Sequence, residues 1–371
     1  MAENSPDLHN LIGCCDFRTL RRLLKEHRPF SPQSKRTRRF STALSLYSQG
    51  LYSLEGLIHN RRIRAHELAE PPTFIVGHWR SGTTFLHNVI HRSQRFSSID
   101  LAQSLRIRST ILMGNVMRKI LTDHAPEDRE FDGVAIAHDE PQEEEMALTT
   151  LGMTSTYHQG MFPRDRKEII NGALYPENLS VEDYREFSGN YLWLAKKISY
   201  IDEQHRPLLF KNPAATARID FLREIFPEAK FIHIIRRPAD VMRSFAPTLK
   251  TLFGHYSLHG IYESPPMDTL IEEYTRLMQA HLKQRDHLLD KDYIEVRYED
   301  FRQAPLKTVD QIYQHFGWDF TDAQRQNISE YLKSISDYKR NKREPDPELE
   351  AELESKLSFA YDQWSYDRKF A

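Results

Sequence analysis

The stretch TFIVGHWRSGTTFLHNVIH, residues 73–91, decides the fold through its central octet GHWRSGTT, residues 77–84. The apolar run 73–76 reads as a buried strand, and the apolar positions of 85–90 fall on one helical face. Strand, glycine-bounded loop and helix is the arrangement in which backbone N–H groups and a helix N-terminus cradle a phosphate. The glycine spacing is that of the nucleoside-triphosphate P-loop. Thr83 nevertheless stands where that loop carries its lysine, and the positive charge has moved back to Arg80. Such a loop suits a phosphate, but not the β/γ end of ATP.

Outward from this unit, three more apolar runs read as strands: 208–210, 231–235 and 293–298. The first two are each followed by a helical pattern, Ile219, Leu222 and Phe226 in one and Val241, Phe245 and Leu249 in the other. This alternation predicts an α/β chain with a P-loop-like three-layer fold and a mostly parallel central sheet. Residues 1–70 read as a helical, basic N-terminal extension, with Arg18, Arg21, Arg22, Lys25 and a run over 35–39, packed on the main domain and solvated. Pro71 and Pro72 mark its boundary with a main domain over 71–371. Within that domain, about residues 99–200 read as a mainly helical insertion on the acceptor side. Residues 338–347 read as a charged loop, and a last helix is expected over 348–364.

At 371 residues, 39% hydrophobic and 28% charged, the composition is that of a soluble enzyme. A net charge of −2 gives no electrostatic reason to expect nucleic acid as a partner. The only cysteines, Cys14 and Cys15, are adjacent and offer no disulfide framework, which predicts a reducing, cytoplasmic setting. No stretch is apolar enough to span a bilayer, and the first residues lack the pattern of a secretory signal. A homodimer is left open.

In open parallel sheets, ligands bind beyond the carboxyl ends of the strands. The first strand delivers the loop, the run ending at Phe210 delivers Lys211, and the run ending at Ile235 delivers Arg236 and Arg237. Three strand tips of one electrostatic character converge on one edge. Pro238 suits the first turn of a helix, which sets Ser244 about 1.7 turns further on. Arg236 and Ser244 can then grip one phosphate from two sides; taken alone, an exposed arginine and a helix serine is the plainer reading. His87 and His91 have the spacing of a zinc pair, but no third ligand is indicated. They read as residues of the helix's polar face or of a substrate cleft, with no metal.

GHWRSGTTFLH, then LLFKNP (208–213), then IIRRPADVMRS (234–244), in this order, resembles the sulfotransferases that use 3′-phosphoadenosine 5′-phosphosulfate (PAPS). The likeness is to the broad bacterial-type family and runs from near Pro71 onward. PQEEEMAL (141–148), VRYEDF (296–301), DYKRNKREP (337–345) and FAYDQWSYD (359–367) add to it. The resemblance implies that Arg80, Ser81, Gly82, Thr83 and Thr84 hold the 5′-phosphosulfate, and that Arg236 and Ser244 hold the 3′-phosphate. It implies that Lys211 stabilises the sulfuryl group in transfer. It also implies that Lys339, Arg340, Lys342 and Arg343 belong to a loop closing over the nucleotide. Arg80 replaces a lysine frequent among relatives, keeping the charge and adding a planar fork. Asn212 replaces a serine or aspartate.

The expected reaction is in-line transfer of a sulfuryl group from PAPS to an acceptor hydroxyl or amine, leaving 3′-phosphoadenosine 5′-phosphate (PAP), without a metal. Arg80 and Lys211 supply electrostatic stabilisation. The acceptor needs a general base. Glu143 is the first choice, at the start of a helix that Asp139 and Gln142 are placed to cap; His138, Asp139, Glu145 and Asp100 are its rivals. The acceptor itself, a small molecule, lipid or carbohydrate, is not legible. Two other readings compete: a P-loop kinase, disfavoured by the missing lysine and the absence of an acidic strand end, and a nucleotide-binding scaffold without catalysis.

Overall fold

The computed structural model describes residues 11–124, 140–335 and 346–368. Four strands, β1 (Thr73–Val76), β2 (Leu209–Lys211), β3 (Lys230–Ile235) and β4 (Tyr293–Arg297), form a parallel sheet in the order β2-β1-β3-β4. The chain leaves β1 to one side for β2 and returns to the other side for β3. The carboxyl ends of β1 and β3 therefore flank a topological switch point, where open sheets leave a ligand crevice.

Side chains alternate across the sheet with the period of two that a pleated strand imposes. Phe74, Val76, Phe210, Phe231 and Tyr293 pack on one face, under helices Val181–Ile201 and Ile219–Ile225. Ile75, Leu209, Ile232, Ile234 and Val296 pack on the other, with helices Thr83–His91 and Pro305–His315. Covering both faces gives the three layers expected. Strand ends shift in two places: β4 stops at Arg297, where Tyr298 opens helix Tyr298–Gln303, and Lys211 is the last residue of β2, in register with Ile75, because the ladder continues through Asn212 N–H, which donates to the Ile75 carbonyl at 3.1 Å.

The last helix is not continuous. Helices Pro347–Lys356 and Ser358–Gln363 meet at Leu357, whose backbone leaves the helical region. The break lets Leu353, Leu357, Ala360 and Tyr361 all enter the core formed around helices Pro238–Tyr256 and Met267–Arg285.

The N-terminal segment contains helices Phe17–Glu26 and Lys35–Ala65, and Asp16 caps the first through Thr19 N–H at 3.0 Å. The long helix packs on helix Val181–Ile201, where Lys197 and Glu55 form an ion pair with both side chains 1% exposed. Its Ser45 and Tyr52 hydroxyls donate to the carbonyls of Cys15 and Cys14 at 2.8 and 2.6 Å. Both cysteines are free and buried, and burial pushes their thiols up, away from reactivity. Among the described residues, no helix is long and apolar enough to cross a membrane.

Candidate active site

The loop after β1 is shaped by two backbone constraints. Gly77 (φ 143°) passes so close to β3 that a Cβ there would lie 2.4 Å from the Ile234 carbonyl oxygen. Gly82 (φ 102°) lies flat on the Tyr298 ring, where a Cβ would come within 2.4 Å of Cδ2. Between them Arg80 also has a positive φ, 71°. These reversals of hand fold the loop back tightly, with Ser81 N–H donating to the His78 carbonyl at 3.1 Å. Helix Thr83–His91 begins directly after, and its N-cap Gly82 offers no side chain to its first N–H groups. The loop is anchored by Gly77 N–H, which donates to Thr216 Oγ1 at 2.8 Å. His78 is buried within it, and burial lowers its pKa to about 4, so the imidazole is neutral.

Arg80, Arg236 and Ser244 come together at the switch point. Arg80 Nε donates to Ser244 Oγ at 2.9 Å, and an Arg236 guanidinium nitrogen donates to the Arg80 carbonyl at 2.9 Å. Tyr298 lies under the Arg236 guanidinium, 4.7 Å from its ring centre. Two polar atoms here, Ser81 Oγ and Arg236 Nε, are buried without a hydrogen-bond partner among the described residues. Buried donors rarely go unpaired, so each is suited to an incoming acceptor oxygen. Arg237 turns elsewhere: it pairs with Glu350 at 2.8 Å and Glu354 at 2.5 Å and joins the sheet edge to the C-terminal helices.

Lys211 is 3% exposed and bridges the loop helix to the glutamate segment. Its Nζ lies 3.3 Å from Thr84 Oγ1 and 2.5 Å from Glu143 Oε1. Glu143 Oε2 accepts from the Tyr157 hydroxyl at 3.1 Å. The three consecutive glutamates face three different environments. Glu143, at the N-cap of helix Glu144–Thr150, is the one that meets Lys211. Glu144 is fully buried and accepts from the Tyr191 hydroxyl at 2.6 Å; burial raises its pKa to about 7. Glu145 is also buried, which alone would raise its pKa. The charge and hydrogen bonds of Arg218, with Asn212 Nδ2 at 2.8 Å and Thr156 N–H at 3.0 Å, outweigh that and hold it below the usual carboxylate value.

Glu145 is thus committed to the framework, and so is Asp100. Asp100 caps helix Leu101–Leu105 in a reciprocal capping box with Gln103 and pairs with Arg118 at 2.7 Å. His138 and Asp139, and the basic residues Lys339, Arg340, Lys342 and Arg343, lie outside the described residues.

His87 departs from the polar-face alternative, whereas His91 stays half-exposed. His87 is not on an open polar face: it is fully buried, and its Nε2 lies 3.2 Å from Ser98 Oγ, which His91 Nδ1 approaches at 3.3 Å. Burial, with Lys211 nearby, pushes His87 well below the usual imidazole pKa. The reason is tertiary: the chain at Ser97 pairs beside Leu208 and closes over that side of the helix. Among the described residues, no group of three histidine, cysteine or acidic side chains is placed to hold a metal.

Sequence reasoning missed several supporting residues. Thr216 anchors the loop, Tyr298 floors it, Arg218 neutralises Glu145 and Tyr157 holds Glu143. In sequence, Asn212 is only a departure from the family pattern. In the fold it caps the turn Pro213–Ala217 by accepting from Ala214 N–H at 2.9 Å, while its amide nitrogen holds Glu145. Thr216, Tyr298, Arg218 and Tyr157 have no local sequence signal, because each acts across more than sixty residues or through a single hydroxyl; Asn212 before Pro213 is a local cap signal.

Comparison with known proteins gives the family and the fold. The model of the sulfotransferase family matches residues 71–322. The chain is 28% identical over 340 residues to omega-hydroxy-beta-dihydromenaquinone-9 sulfotransferase Stf3 of Mycobacterium bovis, covering 88% of this chain and 83% of that one. The same values hold for Stf3 of Mycobacterium tuberculosis. Among solved structures, sulfotransferase STF9 from Mycobacterium avium superposes with a TM-score of 0.69 at 15% identity, covering 95% of this chain and 90% of that one. Sulfotransferase STF1 from Mycobacterium tuberculosis H37Rv gives 0.63 at 18% identity, with 92% of each chain covered. These two likenesses show a shared fold.

Proposed function

Since the chain belongs to the sulfotransferase family, we propose that it transfers the sulfuryl group of PAPS to the hydroxyl of a lipid-like alcohol, releasing PAP. The observation that carries this reading is the joining of two sites at one sheet edge. The Arg80–Ser244–Arg236 cluster lies at the switch point, and the Lys211–Glu143 pair is tied to the same loop helix through Thr84.

PAPS, when bound, supplies a sulfuryl group already attached to a stable leaving phosphate. The N–H groups at the start of helix Thr83–His91, with the hydroxyls of Ser81, Thr83 and Thr84, hold its 5′ end. Arg236 and Ser244 hold its 3′-phosphate, which pairs the buried Arg236 Nε; the Arg80 guanidinium, drawn to Ser244, joins them there instead of at the 5′ end expected from the sequence. The glycines at 77 and 82 let the loop pass hard against β3 and Tyr298, where no side chain would fit. Lys211 stabilises negative charge developing beside Thr84. Its ion pair with Glu143 sets the order of events: an anion arriving at Thr84 competes for the lysine and releases the carboxylate. Glu143, steadied by Tyr157, then takes the proton of the acceptor hydroxyl.

The acceptor class follows from the name of the relative Stf3, which acts on a hydroxylated menaquinone derivative. Thermal-shift measurements test the nucleotide. PAP should stabilise the protein strongly and ATP with magnesium little; equal stabilisation by ATP would favour a kinase. Turnover is tested with labelled PAPS and a panel of polyprenyl and alkyl alcohols. Binding of PAP without transfer to any of them would favour a scaffold.

A further inference from the structure

The long helix Lys35–Ala65 is inside out. Its inward side carries Ser41, Ser45 and Ser48, all buried, whereas its outward side carries Phe40, Tyr47, Leu54, Leu57 and Ile58, all largely exposed. Phe40, Tyr47 and Leu54 recur every seven residues and Ile58 follows at four, so they share one stripe. Leu57 is 85% exposed and Tyr47 is 72% exposed. A second stripe lies on helix Thr110–His124, where Leu112, Val116 and Ile120 recur every four residues, again exposed. Leu112 N–H donates to Glu55 Oε2 at 2.9 Å, which sets the start of this helix against the middle of the long one. Single exposed apolar residues are ordinary, but two adjoining helices with outward apolar stripes are not.

The charges around the stripe select what covers it. Lys35, Arg36 and Arg39 are exposed at one end of the long helix, and Arg61, Arg62 and Arg64 at the other. The helix's single acidic residue, Glu55, is buried against Lys197. A second copy of this chain docked on the stripe would oppose basic ends to basic ends in either direction, parallel or antiparallel. An anionic lipid surface complements both ends at once. Apolar side chains entering the acyl boundary, with arginine and lysine at headgroup level, is how interfacial helices bind. We infer that helix Lys35–Ala65, with helix Thr110–His124 beside it, docks the protein on an anionic lipid surface. The inference stands apart from the proposed reaction, because docking is read without turnover.

The test is sedimentation of the full chain with vesicles of phosphatidylglycerol and phosphatidylcholine, against vesicles of phosphatidylcholine alone. The wild type should bind the anionic vesicles, and added salt should weaken that binding. Leu54→Glu with Leu57→Glu should lower the partition coefficient at least about tenfold. Leu57→Glu alone, at the most exposed of these positions, should lower it in the same direction with an unchanged melting temperature. Arg61→Glu with Arg62→Glu should reduce binding to anionic vesicles only. The stabilisation by PAP should persist in every variant. Three results would each overturn the inference: no wild-type binding to anionic vesicles at low salt, full binding by Leu54→Glu with Leu57→Glu, or a wild-type dimer that this pair of substitutions dissolves.

Discussion

Arg236, at the end of β3, donates to the main-chain carbonyl of Arg80 at 2.9 Å. One side chain thereby steadies the left-handed residue of the phosphate loop and keeps its Nε, buried and unpaired, for an incoming acceptor. Arg236→Ala removes both roles. A hydrogen bond to a charged group is worth about 1.5–3 kcal/mol, so PAP affinity should fall roughly 10- to 100-fold by titration calorimetry. Arg236→Lys should fall between, since a lysine lacks the fork. Unchanged affinity in the alanine variant would remove Arg236 from the nucleotide grip.

Gly82→Ala places a methyl group against the Tyr298 ring at a backbone angle that L-residues avoid. Destabilisation of about 1–3 kcal/mol is expected in urea unfolding. Tyr298→Ala in the same chain should recover the steric part alone, because φ stays at 102°. Full recovery would mean that the clash, and not the backbone, is the constraint.

Lys211 and Glu143 are expected to separate binding from chemistry. Lys211→Ala and Glu143→Gln should each lower turnover by about 10²–10⁴-fold while changing PAP affinity little. Loss of PAP affinity with turnover preserved would reassign Lys211 to the phosphate site.

Glu144 makes stability depend on pH in an unusual direction. Burial raises its pKa from 4.5 to about 7 in the folded state. Between these values the folded chain binds a proton that the unfolded chain has released, so this group's contribution falls as pH rises through the window. The change amounts to roughly 3 kcal/mol. Glu144→Gln mimics the protonated acid beside Tyr191. It should be more stable than the wild type at pH 8 and close to it at pH 4.5. His78, held down at about 4 by burial, acts in the opposite sense below pH 6.5, and the difference between wild type and Glu144→Gln cancels it. A constant difference from pH 4.5 to 8 would show that Glu144 is ionised throughout.

Much of the sheet and of the phosphate loop was legible before any coordinates, because both are written in local chemistry. TFIV is a buried strand by composition alone, and Gly77 and Gly82 mark turns that only glycine makes without strain. Pro238 opens its helix as expected, and Lys211 and Arg236 sit at strand ends that the apolar runs delimit. The break at Leu357 was not legible, since the sequence around it continues to favour helix and only the core beneath decides where it bends. Likewise the serine-lined side of helix Lys35–Ala65 reads as an outer face until Cys14, Cys15 and Arg106 are seen to occupy it.

By itself, then, the chain's order of residues determined the strands, the turn that receives a phosphate and the cations at the strand tips, since these depend on neighbours in sequence. Tertiary structure alone decided which of three adjacent glutamates meets Lys211, and which arginine serves the crevice. Each of those choices is an electrostatic pairing across the fold. Glu145 is taken by Arg218 and Arg237 by Glu350 and Glu354; Glu143 pairs with Lys211, and Arg236 holds the loop. Burial makes a lone charge far too costly to leave unpaired, and only the assembled fold fixes which partner stands within reach.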